Sequence, residues 1–264
     1  MIVEFIGCDG AGKTTLSRML RERGIPGSCV TTMPDLVLDR AGLRRVTHPT
    51  AINFVQEMSG LPFFLGAYRR RREFVAFSGH MLARYAPSRF DKLNGMRGIV
   101  RRVGMYELAR SRASNRIVLS DEGTVLTAYF FALTEVELDY GHLDRFARLV
   151  PRPDRIVYVK APVATLVRRA MSRTDTRRQH AGKERAQVER TIRRTVDVFD
   201  LIAAAPLLRD RVLIIENDES DAARRQALVE RIAAQIRTSA SAGVAATQVT
   251  LPLHSDHLRQ ESRT

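Results

Sequence analysis

Residues Gly7-Cys8-Asp9-Gly10-Ala11-Gly12-Lys13-Thr14 spell G-x-x-x-x-G-K-T, and their flanks decide most about the chain. Before them Ile2, Val3, Phe5 and Ile6 make a short apolar run, suited to a strand buried on both faces of a parallel sheet. After them Leu16, Met19 and Leu20 recur at helical spacing up to Gly24. Strand, glycine-rich turn and helix, in that order, is the setting in which this pattern cradles phosphate. Glycines let successive N–H groups point at an anion, and the positive end of the helix adds to the attraction. Gly7, Gly10, Ala11, Gly12, Lys13, Thr14 and Thr15 are therefore the expected nucleotide contacts. Lys13 would reach the β- and γ-phosphates and act in transfer, while the Thr14 hydroxyl would ligate Mg²⁺. The expected cofactors are ATP and Mg²⁺.

Further strand candidates follow at Ser28 to Thr32, Arg116 to Ser120, Arg155 to Val159 and Arg211 to Ile215. Helical stripes lie between or after them: Val163, Leu166, Val167 and Ala170; Ile192, Val196, Phe199 and Ile202; Leu228, Val229, Ile232 and Ile236. Alternation of this kind predicts an α/β fold, a five-stranded parallel sheet with helices on both faces, and the glycine-rich motif after the first strand makes it the P-loop NTPase type. Residues 50–114 carry no strand pattern and read as a helical insertion between strands 2 and 3, broken at Gly60, Pro62, Pro87 and Gly95. Residues 1–238 are expected to form one domain. Ser, Ala, Thr and Gln dominate residues 239–264, which read as a flexible tail.

In an open parallel sheet, ligands bind beyond the carboxyl ends of the strands. Ser120-Asp121-Glu122-Gly123 ends the third strand, so Asp121 is a candidate to hold Mg²⁺ or take a proton, or else a helix cap. Glu122 could contact an acceptor or assist as a base. Asp9 either points from the loop toward an acceptor hydroxyl or is a capping residue. Beyond the fourth strand, Arg168, Arg169, Arg173, Arg177 and Arg178 suggest an arginine-bearing lid near residues 168–185, with Arg173 and Arg177 as the residues that neutralise charge in transfer. The run Arg69 to Arg72 can aim at most one or two side chains at one target, because successive helical residues diverge by about 100°.

The formal net charge is +14, and of 43 basic residues only Lys13, Lys92, Lys160 and Lys183 are lysines. Such a balance attracts nucleotides, phosphorylated metabolites or nucleic acid, or it reflects an arginine bias spread over the surface. Cys8 and Cys29 cannot build a disulfide framework, and no apolar run is long enough for a membrane span. The start of the chain lacks a signal-peptide pattern, so the expected location is the cytoplasm.

Three segments together resemble thymidylate kinase and its nucleoside- and nucleotide-kinase relatives: VEFIGCDGAGKTTLSRMLRERG, RIVLSDEGTVLTAYF and PDRIVYVKAPVATLVRRAMSR. The resemblance implies Mg²⁺-assisted phosphoryl transfer from ATP to a small-molecule acceptor. It gives Asp9 the acceptor sugar hydroxyl, and Arg173 or Arg177 the lid function. Arg69, after FFLGAY, takes the place of a helix arginine near the acceptor phosphate. Glu122 stands where the family has arginine, and Gly123 where it has a bulky neighbour. Thr31-Thr32-Met33-Pro34 replaces Thr-Arg-Glu-Pro, and Phe130 replaces glutamine. The acceptor half is therefore expected to differ. A buried acid at 122 would repel a monophosphate and favour a nucleoside or sugar-like hydroxyl acceptor. The alternative is a P-loop ATPase acting as a regulatory or nucleic-acid-associated module, with Asp121-Glu122 activating water. A homodimer is left open.

Overall fold

Apolar strands alternating with amphipathic helices can bury both kinds of surface in a parallel sheet covered on each side. The computed structural model has that form and describes residues 1–42, 48–86, 88–113, 116–133, 136–172, 184–218 and 221–248. Strands β1 (Ile2–Ile6), β2 (Cys29–Thr32), β3 (Arg116–Ser120), β4 (Arg155–Lys160) and β5 (Val212–Glu216) are all parallel, in the order β2-β3-β1-β4-β5. β1 and β3 fall where the sequence places them, and the others differ by a residue at one end or both.

The helices are α1 (Lys13–Arg23), α2 (Met33–Ala41), α3 (Pro49–Tyr85), α4 (Arg89–Arg110), α5 (Tyr140–Leu149), α6 (Val163–Met171), α7 (Arg185–Ala204) and α8 (Ala222–Gln248). A 3₁₀ helix, Val125–Ala132, follows β3. On one face of the sheet, Val3 and Phe5 pack with Leu16 and Leu20 of α1, Leu166 of α6, and Ile232 and Ile236 of α8. On the other, Ile6, Ile156 and Tyr158 meet the 3₁₀ helix and residues of α3, α4, α5 and α7. The residues of β1 thus alternate between the two faces of the sheet, with Ile2 packed in a further cluster against α2 and α4, and all five are buried, Glu4 among them.

The insertion consists of α3 and α4, and three of its expected breaks are absent. Gly60 and Gly104 meet backbone to backbone, and Gly95 receives Leu82, so these glycines serve helix packing rather than termination. Pro62 lies within α3, and the packing of α3 on α4 outweighs the backbone hydrogen bond it removes. Helix α2 was not foreseen from periodicity. Its start is set by Thr32, whose hydroxyl accepts from the Asp35 N–H at 3.2 Å, with Pro34 in the first turn. Helix α8 runs on to Gln248, beyond the boundary expected at 238, through an alanine-rich stretch that favours helix. Residues 249–264 lie outside the described residues.

Candidate active site

The loop between β1 and α1 is built on Gly7, Gly10 and Gly12, whose φ angles are 133°, 83° and 95°. At Gly12 a Cβ would also overlap the Asn217 amide nitrogen, so both conformation and space require glycine. Lys13 is buried and donates to the carbonyls of Gly7 (2.6 Å) and Cys8 (2.9 Å), which holds its ammonium over the loop. Burial in this loop pushes the Cys8 thiol up to about 12, so Cys8 packs rather than reacts.

The back of the loop is braced by residues far along the chain. Asn217, just after β5, donates from its backbone N–H to the Lys160 carbonyl (2.7 Å) and from its side chain to the Ala11 carbonyl (2.6 Å). Arg169 of α6 donates to the carbonyls of Gly10 (3.1 Å), Asn217 (3.3 Å) and Asp218 (3.2 Å). Thr165 donates to the Asp218 carboxylate at 3.0 Å. Arg169, counted among the lid arginines on sequence, is thus a brace for the phosphate loop, while Arg168 faces solvent. Arg173 and Arg177 lie outside the described residues. Ala11 also belongs to the back of the loop: its N–H closes a turn on Cys8 at 3.2 Å, and it is fully buried.

In front of the loop is a cavity of about 230 Å³, lined by Gly7, Asp9, Gly10, Gly12, Lys13, Thr14, Thr15, Asp121, Glu122 and Arg102 among others. The Thr14 hydroxyl donates to the Asp121 carboxylate at 3.0 Å, which brings together two residues 107 positions apart. These two oxygen donors, one in the first turn of α1 and one just after β3, suit a hard cation such as Mg²⁺. Among the described residues no group of three or more His, Cys, Asp or Glu side chains forms a self-sufficient metal site.

Two further cavities adjoin this one. One, of about 420 Å³, lies beside Asp121 and is lined by Glu4, Met33, Asn53, Gln56, Arg101, Arg102, Tyr106 and Glu122 among others. The other, of about 570 Å³, lies against α3 and α4 and includes Asn53, Glu57, Asp91, Asn94, Arg97 and Tyr129. Arg102 lines all three, and its Nε is buried with no hydrogen-bond partner among the described residues. Its neighbour Arg101 donates to Glu122 (2.6 Å) and to Asn53 (2.5 Å). Burial lowers the Arg101 guanidinium from its ordinary value, and Glu122 opposes that shift.

Glu122 is therefore not the buried, uncompensated acid that the sequence suggested. Its side chain is 51% exposed and ion-paired, so it gives no ground for excluding a phosphorylated acceptor. The buried acid is Glu4, one strand away. Its Oε1 accepts from the Leu126 N–H at 2.7 Å, and burial pushes its pKa up to about 7, with backbone amides and Arg102 pulling the other way. A Cβ at position 123 would collide with the Glu4 carboxyl, which explains the glycine after Glu122. Arg69 is also displaced. It is exposed on α3, sixteen positions beyond Asn53, or roughly 24 Å along a helix, and lines none of these cavities. Arg70 and Arg71 of the same run share Glu107, at 3.2 and 2.7 Å.

No protein-family model and no curated protein matches the sequence. Solved structures do resemble the fold. Shikimate kinase from Bacteroides thetaiotaomicron is 14% identical at a TM-score of 0.46, over 90% of this chain and 98% of that one. Deoxyadenosine kinase from M. mycoides is 11% identical at 0.47, over 90% and 100%. TT1252 from Thermus thermophilus is 19% identical at 0.41, over 90% and 96%. The sheet order and the loop at its centre establish the P-loop α/β fold of this chain. No helix among the described residues is long and apolar enough to cross a membrane.

Proposed function

We propose that this protein is an ATP-dependent phosphotransferase acting on a small molecule that carries a hydroxyl or phosphate group. One observation carries the reading: Arg102 lines the phosphate-loop cavity and both neighbouring cavities, within a site that also pairs Thr14 with Asp121. A nucleotide in the loop and an acceptor beside Asp121 would then share a single cationic side chain between them.

The loop amides and Lys13 would bind and orient the β- and γ-phosphates. Thr14 and Asp121 would hold Mg²⁺, whose charge would offset that of the phosphates. Arg102, which lines all three cavities, would draw the acceptor and the transferring group into line. Arg101, tied to Asn53 and Glu122, would fix the acceptor wall. Asp9 lines the same cavity as Lys13 and Thr14 and would take the acceptor hydroxyl, while Arg173 and Arg177 would neutralise charge in transfer. The expected cytoplasmic location accords with ATP as donor.

Glu122 as an activator of water, the ATPase alternative, is disfavoured because its carboxylate already accepts from Arg101 at 2.6 Å. The test is ADP release with ATP and Mg²⁺ against a panel of nucleosides, nucleotides, sugars and sugar phosphates. Acceptor-dependent ADP release, lost in Lys13→Ala, is the expected outcome. Turnover stimulated only by DNA or RNA, or left intact in Lys13→Ala, overturns the proposal.

A further inference from the structure

Two peptide planes of the phosphate loop are held by side chains from far along the chain. In a trans peptide the C=O and the N–H that follows it point in opposite directions, so a bond that holds one aims the other. The peptide from Gly10 to Ala11 is held at both ends: its carbonyl accepts from Arg169 at 3.1 Å, and its N–H donates to Cys8 at 3.2 Å. The peptide from Ala11 to Gly12 is held through its carbonyl, which accepts from the Asn217 side chain at 2.6 Å. Gly12 lines the cavity in front of the loop, and Ala11 is buried behind it.

We infer that Asn217 is a positioning residue for polyphosphate: it draws the Ala11 carbonyl backward and so turns the Gly12 N–H toward the bound phosphates. This role rests on the reading of the loop as a nucleotide site, and it gives that site a determinant 206 positions from Ala11.

The tie is needed because glycine is permissive. Gly12 has a φ of 95°, and a residue without Cβ adopts positive and negative φ at similar cost. The plane before it can therefore rotate unless something outside the loop fixes it. Turned over, that plane would present a carbonyl oxygen to phosphate in place of an N–H, exchanging attraction for repulsion. Asn217 is itself well anchored. It is 5% exposed, its backbone N–H donates to the Lys160 carbonyl at the end of β4 (2.7 Å), and its carbonyl accepts from Arg169 (3.3 Å). The carboxamide thus reaches the loop from a point fixed to the sheet. The contact also needs a donor of this length, since the group it holds is an acceptor.

The experiment is calorimetry of the full chain with tripolyphosphate and with ATP, at about 0.15 M salt to screen the general positive charge. Asn217→Leu keeps the branched shape and removes the donor, and Asn217→Ala is the second variant should the first fold poorly. Affinity for both compounds is expected to fall by the same factor, about ten- to hundredfold, the loss of one hydrogen bond to a charged group. A residue that only supported the fold would lower the melting temperature and leave the affinity of the folded fraction unchanged. A further readout needs no substitution at Asn217. In the isotopically labelled wild type, the Gly12 amide proton should move downfield in the NMR spectrum as tripolyphosphate is added.

Unchanged affinity in a folded variant overturns the proposal, as does a Gly12 resonance that stays in place in the wild type. So does a loss for ATP without one for tripolyphosphate, which would assign Asn217 to the base. A wild type that binds neither compound removes the phosphotransferase reading together with this one. Wild-type binding that survives in both variants removes the role of Asn217 alone.

Discussion

Substituting Glu4→Gln should make the protein more stable at neutral pH and less sensitive to pH. Glu4 is fully buried in the central strand, and its pKa stands at about 7 in the folded chain against 4.5 for an unperturbed glutamate. Below pH 4.5 the folded and unfolded chains both hold the proton, and the carboxyl imposes no ionic penalty. Between 4.5 and 7 the folded chain keeps a proton that the unfolded chain has released, so stability falls as pH rises. Above 7 the full penalty applies. A shift of about 2.5 units corresponds to about 3 kcal/mol. Glutamine keeps the oxygen that accepts from the Leu126 N–H and fits the space that Gly123 leaves. Urea denaturation of both proteins from pH 5 to 8 should show the curves diverging with rising pH, the variant gaining on the order of 3 kcal/mol at the upper end. A difference between the two proteins that stays constant over this range would refute the argument. It would mean that Arg102 and the backbone amides of residues 124–126 keep Glu4 ionised throughout.

Other outcomes follow from the site. Arg102→Ala should raise the acceptor KM by about ten- to hundredfold, the loss of a charged hydrogen bond, while Arg69→Ala leaves it unchanged; steady-state kinetics in varied acceptor separates them. Asp121→Asn should lower kcat and demand more Mg²⁺ while ATP affinity, measured by calorimetry without metal, changes little. Gly12→Ala should lose at least about 2 kcal/mol of stability or nucleotide binding, because it combines strained backbone with a clash on Asn217; thermal melts with and without ATP read both effects.

The legible parts of this protein are the local ones. The phosphate loop, β1, β3 and the position of Asp121 could be read because each depends on spacing within a few residues. Glu4 was legible in principle, as a charge in the middle of an apolar run flanked by Val3 and Phe5, but a buried acid announces itself only once its surroundings are known. Arg69 was misplaced because a motif match carries no information on how far along a long helix the cleft lies. Gly60 and Gly95 read as breaks since sequence shows the glycine and not the helix that fills the space beside it.

Residue order alone dictates that a glycine-built cradle joins the first strand to the first helix and that a parallel sheet supports it, since glycine placement and strand periodicity are short-range properties. The folded chain chooses the residues around the cradle: Arg102 in front, Arg101 and Asn53 lining the cavities beside it, Asn217 and Arg169 behind. These partners lie tens to hundreds of positions from the loop. What joins them is the packing of α3, α4, α6 and the end of β5 around the sheet, and no window along the chain contains that packing.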